Sequence, residues 1–497
     1  EPNKGYTKET FNSMKSIFQT DNDGKVVKNV KRLLSISSST DYNNMLKKTY
    51  THVGGQTSSV EYSDVDPWLG SFRKSETTFA NGVKKSSYRV PAYEKYSAMR
   101  SKVLNHNNKN MLTQEVLNID EYNGKTLNAS ITTWKDKWTY RDAVGNNSTQ
   151  SGIWRKHKNF IWKDRVNAST GAYNTTITPT SNYFNWGTGT PTNNKWQNIS
   201  EITKYTHWSL PVEVSDINNN FTSSKMSDNF SKVVASGNAR YSEMYYSGAE
   251  YVASGNTFEG EIEGANYKTS TKTHTGEYAI KLTNSSQKGF RITGSVGRDH
   301  NDLSKDFRPG TYKVSVWIYN GIKLSNQIDL MVNGVAKKPS EKVYADSGWA
   351  LFNYYITLNP NSNTDVYLKN KGYRYGIYLD DFRMHPISTS INSYVYDQET
   401  DELLYILDNN NIGTLYCYDQ AGRLCSTYKE LVNKNYFKTY LKAGGKNRYK
   451  YKRISKNSFR TGFKVVEKNR YKYKGISENK SCECKFGKGS SNSYNQY

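Results

Sequence analysis

Between Ser393 and Lys429 the chain repeats itself, and this restricts the fold more than any other feature. Tyr396-Asp397 and Tyr418-Asp419 stand 22 residues apart. Each pair opens a short polar turn, Gln398-Glu399-Thr400-Asp401 in the first copy and Gln420-Ala421-Gly422 in the second. Each turn closes on a leucine, Leu403 or Leu424. Tyrosine-bearing alternation on both sides of an acidic or glycine-bearing turn is a hairpin signal. One hairpin cannot bury its own apolar face, so a fixed period implies stacked neighbours. The first copy has an extra residue before Leu403 and lacks the Gly-Arg of the second, which predicts a different turn there.

Composition agrees with thin β layers. The chain has 497 residues, room for roughly two to four domains. Hydrophobic residues make up only 35%, yet aromatics reach 14%, with 41 Tyr. Tyrosine suits a pleated surface because it buries a ring and keeps its hydroxyl wet. With 10 Pro and 35 Gly, collagen-like and linker classes are excluded. No apolar run reaches the roughly 18 residues of a membrane-spanning helix. The sequence begins at Glu1 and shows no signal peptide, as expected of a mature or truncated product. Cys417 and Cys425 flank the second repeat turn, where a hairpin disulfide or free thiols both fit. Cys482 and Cys484 lack a second ligand pair for zinc.

The net charge of +24 is uneven. Lys429–Tyr497 holds 19 Lys/Arg against 4 Asp/Glu, so the charge belongs to the tail. There Lys446–Lys452 recurs as Lys468–Lys474, a period-2 Tyr/Lys pattern that predicts strands. Residues after Lys485 read as disordered. Lysines defending an edge strand are favoured over nucleic-acid binding, and an acidic cell-surface polymer is a third target.

The remainder divides by pattern. Residues 1–250 read as an irregular strand-rich region, with helical potential at Phe11–Phe18 and a turn at Asn81-Gly82. Trp134, Trp138 and Tyr140 are expected on one strand face. Pro211–Phe221 resembles the segment around Leu407–Ile412, which predicts the same strand-turn-strand unit in both halves. Residues 251–388 differ in kind. Arg308-Pro309-Gly310 precedes a clean alternation over Thr311–Tyr319, and several short strands between Gly, Asn and Pro turns predict a β-sandwich. Residues 389–430 hold the Tyr-Asp repeats, 431–484 the basic Tyr/Lys strands, and 485–497 the tail.

Two resemblances follow from these motifs. Tyr418–Leu424 (YDQAGRL) resembles the YD repeat of Rhs-type proteins. The order of parts over roughly 200–480 is similar to secreted Rhs/YD-repeat proteins of Bacteroidota-like bacteria, in which strand-rich repeats are interrupted by a sandwich and then resume. The Gly-x-Tyr-x-Val-Ser-Val-Trp pattern at Gly310–Trp317 and Tyr378–Phe382 (YLDDF) are similar to jelly-roll, carbohydrate-binding-module-like domains. The expected fold is therefore all-β: an elongated repeat sheet interrupted by a jelly-roll sandwich.

Catalytic signatures are absent: no nucleophile elbow, zinc-protease helix, phosphate loop or dinucleotide fingerprint occurs. The seven His are scattered. Glu259, Glu261 and Glu263 alternate, and Asp380-Asp381 stand at the last sandwich strand. A glycosidase would need two carboxylates across a cleft. A hard cation such as calcium wants several oxygens. The resemblance to jelly-roll binding modules places Glu259, Glu261 and Asp381 as its ligands; solvent-facing strand acids are the plain alternative. For glycan, aromatic rings would stack on apolar sugar faces, with Trp317, Tyr319, Trp349, Tyr373 and Tyr375 as candidates. Alternation assigns Tyr312, Val314, Val316 and Ile318 to the core and turns Trp317 and Tyr319 outward. The expected function is a non-catalytic secreted or cell-surface repeat scaffold whose sandwich binds glycan or mediates adhesion. The alternatives are a shell segment of an Rhs-type polymorphic toxin system and a glycan-processing enzyme.

Overall fold

A computed structural model of the chain describes residues 45–140, 149–227, 231–252, 255–258, 261–345, 347–430 and 432, residues 22, 23 and 25, and the backbone of 6–17, 31–42, 141, 147–148, 253–254, 433 and 463–467. The described residues are predominantly strand, in several sheets, with one α-helical turn at Gly321–Leu324. The Tyr/Lys repeats of 446–452 and 468–474 and the tail beyond Lys485 lie outside the described residues. The helical potential at Phe11–Phe18 is not realised, because Tyr6–Ile17 is a strand paired antiparallel with Lys31–Tyr42. A short isolated helix is marginal in water, whereas a full-length strand partner satisfies every second backbone group.

The contacts divide the chain into two compact units, Glu1–Asp136 with Gly152–Glu201, and Lys137–Ser151 with Ile202–Tyr497. This places a boundary inside the segment 1–250 that reads as one region in sequence. In the first unit, strands from Lys48–Val53 to Lys125–Lys135 pair in chain order as antiparallel neighbours, and Arg155–Trp162 adds to the last of them. Asn81-Gly82 sits in the connection between Ser71–Thr78 and Lys84–Pro91, with Gly82 at φ +82°. The core of this unit is aromatic: Phe160, Trp162, Phe184 and Trp196 pack with Ile119 and Ile131. Trp134 belongs here, whereas Trp138 and Tyr140 lie on a separate strand of the second unit. The expected single aromatic face is therefore broken at Asp136-Lys137.

In the second unit one sheet runs Pro211–Asp216, Phe221–Met226, Val233–Gly237, Ile391–Tyr396, Leu403–Leu407, Gly413–Tyr418, Leu424–Glu430. Val233–Gly237 pairs directly with Ile391–Tyr396, Ala235 opposite Ser393. Residues 238–390 thus leave one strand and return to its neighbour. The exit and the return are tied together: Asn238 N–H donates to the Ser390 carbonyl, and Ser390 N–H donates to Asn238 Oδ1. A Cβ on Gly237 would stand 2.6 Å from the Ser390 oxygen, so only glycine fits at this exit.

The sheet is built on one recurring turn. At Asp216, Asp408 and Asp419 the side chain accepts backbone N–H groups two and four residues on. The Asp N–H donates to the carbonyl four residues on, and the third residue on is left-handed: Asn219, Asn411 and Gly422. Short polar side chains and glycine tolerate that conformation best. The first Tyr-Asp copy differs as its extra residue predicts. Its turn is one residue longer, closing from Asp397 N–H to the Glu402 carbonyl, with Asp401 at φ +63°. Tyr396 and Tyr418 also play one part, each hydroxyl donating to a carbonyl of the preceding strand, Val233 and Leu403.

The inserted residues form two further sheets. One is centred on Gly310–Tyr319, Trp349–Leu358 and Ile377–Pro386; the other on Gly289–Ser295, Asn363–Asn370 and Ile328–Val332. Val314, Val316, Ile318 and Phe352 from the first share one buried cluster with Phe290, Ile292, Val366 and Leu368 from the second. Tyr312, Val314, Val316 and Ile318 thus face the core, as alternation predicts.

Candidate functional site

The opposite face of Gly310–Tyr319 departs from expectation. Trp317 is 0% exposed and Trp349 1%. Both pack with Val343, Ala345 and Leu351, with Tyr319 half-buried against them. The outward orientation expected for Trp317 is corrected for a physical reason: a further layer covers that face. Trp317 Nε1–H donates to the Asn411 carbonyl (2.8 Å), and His274 lies on its ring. The turn at Asp408 and the loop at His274 supply that layer. Of the five candidate aromatics only Tyr375 is well exposed, at 61%. Its ring meets Tyr373 at 5.5 Å, and the Arg374 guanidinium lies 4.6 Å from its centre. Tyr373 packs against the main core cluster.

The acids are placed by an irregularity. Opposite Gly310–Tyr319, Ser315 pairs with Arg383 and Trp317 with Asp380, so one extra residue is accommodated in Ile377–Pro386. Asp381 takes it up at φ +47°. A bulge of this kind re-aims side chains. In a regular strand Asp380 and Asp381 would point to opposite faces; here both reach the His274 loop. Asp380 Oδ2 accepts the backbone N–H groups of His274 (2.7 Å) and Thr275 (3.3 Å). Asp381 accepts from His274 Nδ1 (2.7 Å), from the Thr275 hydroxyl (2.9 Å) and from the Tyr246 hydroxyl (3.0 Å). The other ring nitrogen, Nε2, donates to Glu430 Oε1 at 2.9 Å.

These groups are interior. Asp380 and Asp381 are 0% exposed, and Glu430 is buried. Burial alone would push the His274 imidazole down, but the Glu430 and Asp381 carboxylates outweigh it and hold it up, at about 10. His274 is thus an imidazolium donating from both nitrogens. Burial and the neighbouring Asp381 charge lift the Asp380 carboxyl well above the usual carboxylate range. Burial also pushes Glu250 up, to about 8, although it accepts from the Glu277 and Tyr278 N–H groups. Arg383 is fully buried, which lowers it to about 10. Its guanidinium donates to the carbonyls of Leu407 (2.8 Å) and Asp408 (2.5 Å). Arg383 and His274 thereby tie the inserted body to the hairpins that follow it.

Two of the three expected calcium ligands, Glu261 and Asp381, are engaged by internal partners. Glu259 lies outside the described residues. Glu261 is ion-paired with Lys225, and both are buried. Asp381 is saturated by His274, Thr275 and Tyr246. A hard cation needs several oxygens free of internal cations, so Glu261 and Asp381 do not fit one. Among the described residues no group of three or more His, Cys, Asp or Glu is disposed to hold a metal. Glu263 pairs with Arg291 instead (3.0 Å).

The sequence contains the components of the His274 node but not their meeting. His274-Thr275-Gly276 and Asp380-Asp381 are visible as motifs, whereas Glu430 comes from a hairpin 156 residues away from His274. Cys417 and Cys425 are both disulfide-bonded, which excludes the free-thiol reading. Among the described residues no helix is long and apolar enough to cross a membrane. Compared with protein-family models and with curated proteins, the chain matches none.

Proposed function

We propose that this chain is a non-catalytic scaffold of the Rhs/YD-repeat kind, secreted or held at the cell surface. In this reading the inserted two-sheet body is a carbohydrate-binding-module-like jelly roll that contacts glycan or another surface polymer. The observation that carries it is the direct pairing of Val233–Gly237 with Ile391–Tyr396. A hairpin sheet with one recurring Asp turn continues across a complete inserted body, an arrangement suited to presenting that body. The disulfide-bonded Cys417 and Cys425 support an oxidising compartment. The paired acids of the inserted body, Asp380 and Asp381, are buried and hydrogen-bonded, whereas glycoside hydrolysis needs carboxylates flanking an accessible bond.

The test is glycan-array binding of the full chain, with and without a chelator, beside a reducing-sugar assay on every glycan that binds. Binding without sugar release is the expected outcome. Sugar release would refute the non-catalytic reading, and failure to bind any glycan would remove the glycan contact.

A further inference from the structure

The second unit contains a cleft of about 320 Å³, and of the candidate ligand-binding residues read from the sequence only Glu261 lines it. Ligand pockets begin at roughly this size. Tyr140 and Tyr205 line one part of it, and Tyr241 and Tyr245 another. Trp138 supports Tyr205 edge-on at 4.8 Å. Beyond Tyr140 the aromatic line continues outward. Tyr140 stacks on His207 at 5.9 Å, and His207 meets the Trp208 ring at 4.5 Å with the planes tilted by 42°. Trp208 is 66% exposed, a large apolar ring left in water.

The polar groups of the cleft favour a neutral ligand. Glu261 is neutralised by buried Lys225, whose ammonium lies 3.6 Å from the Tyr241 ring centre. That cation already occupies the place an external cation would take over this ring. Asp306 accepts the N–H and hydroxyl of Ser295 at 2.8 and 3.0 Å, and the same lining holds a cation, Lys204. The Ser242 hydroxyl, on the cleft wall, is buried without a hydrogen-bond partner. A buried polar group left unpaired costs free energy that a hydroxylated ligand would recover.

We propose that this cleft, with Tyr140, Tyr205, Tyr241 and Ser242 in its wall and Trp208 as an outer platform, binds a neutral pyranoside. Ring C–H faces stack on the aromatics, and sugar hydroxyls meet Ser242 and the carboxylate edges. The inference rests on the glycan-binding reading above but assigns it to residues outside the Tyr373–Tyr375 pair.

The experiment compares the full chain with Thr293→Trp, Trp208→Ala and Tyr375→Ala on an array of neutral and acidic glycans, followed by titration of the best neutral oligosaccharide. Thr293 lines the cleft from an exposed strand position, so tryptophan there fills the space without disturbing the core, and an unchanged unfolding transition verifies this. The expected result is binding of a neutral glycan, abolished by Thr293→Trp, weakened roughly tenfold by Trp208→Ala and unchanged by Tyr375→Ala. Binding that survives Thr293→Trp but is lost in Tyr375→Ala would overturn the cleft assignment and leave the glycan-binding reading standing. Binding confined to acidic glycans would also overturn it, and no binding to any glycan would overturn both.

Discussion

The His274 imidazole lies flat against the Trp317 indole, ring centroids 3.9 Å apart and planes 17° from parallel. Carboxylates hold both ring nitrogens, so the stacked ring carries a charge, and an indole face attracts a cation. A strand residue expected to face solvent thus becomes one wall of an ionic node. Removing the imidazolium would leave Asp381 and Glu430 buried without a counter-charge. His274→Leu is expected to destabilise the chain by about 3–5 kcal/mol, measured by denaturant unfolding. Adding Asp381→Asn and Glu430→Gln to that variant should recover part of the loss, since the three groups act as one unit.

Glu250 gives the chain an unusual pH dependence. Its carboxyl titrates near 4.5 in the unfolded chain and at about 8 when folded. Between those values the folded state holds a proton that the unfolded state has released, so stability falls as pH rises through this window. His274 acts in the same direction. Its contribution is complete below about 6.5 and is lost as pH rises through about 10. Thermal unfolding from pH 5 to 8 should show a falling transition temperature, and Glu250→Gln should flatten it. An unchanged slope in that variant would exclude Glu250 as its source.

Trp317 and Tyr375 separate interior from surface. Trp317→Ala should cost about 3–5 kcal/mol, the loss of a large buried ring and its cavity. Tyr375→Ala, at an exposed turn, should change stability by less than about 0.5 kcal/mol. Equal effects would place Trp317 at the surface after all.

The recurring turn predicts opposite responses at equivalent positions. Gly422 and Asn219 are both left-handed, at φ +71° and +58°. Gly422→Ala should cost about 1 kcal/mol because a Cβ is disfavoured there. Asn219→Gly, at an exposed position, should be neutral within about 0.5 kcal/mol. Paired chemical-denaturation curves test both.

Cys417 and Cys425 are disulfide-bonded. Reduction should therefore lower stability by about 2–4 kcal/mol, read as a drop in transition temperature in dithiothreitol. A chain insensitive to reductant would show that these bonds do not constrain the fold.

Local chemistry was legible in the sequence because its causes lie within a few residues. Tyr-Asp with a left-handed residue three positions after the Asp specifies the turn at Asp419, and the same logic reaches Asp216 and Asp408. Alternation over Thr311–Tyr319 specifies which side chains face the sheet-sheet core. Even the longer turn at Asp397 follows from one added residue. Alternation assigns side chains to two faces, but it does not say what lies over the second face. Trp317 became interior because the Asp408 turn and the His274 loop cover it. Asp380 and Asp381 reach one loop because a bulge cancels the period of two. The His274–Glu430 contact joins segments separated by most of the inserted body, and the cleft beside Tyr140 and Tyr241 gathers short elements with no shared pattern. Such meetings depend on how strands return to one another, which tertiary pairing alone decides.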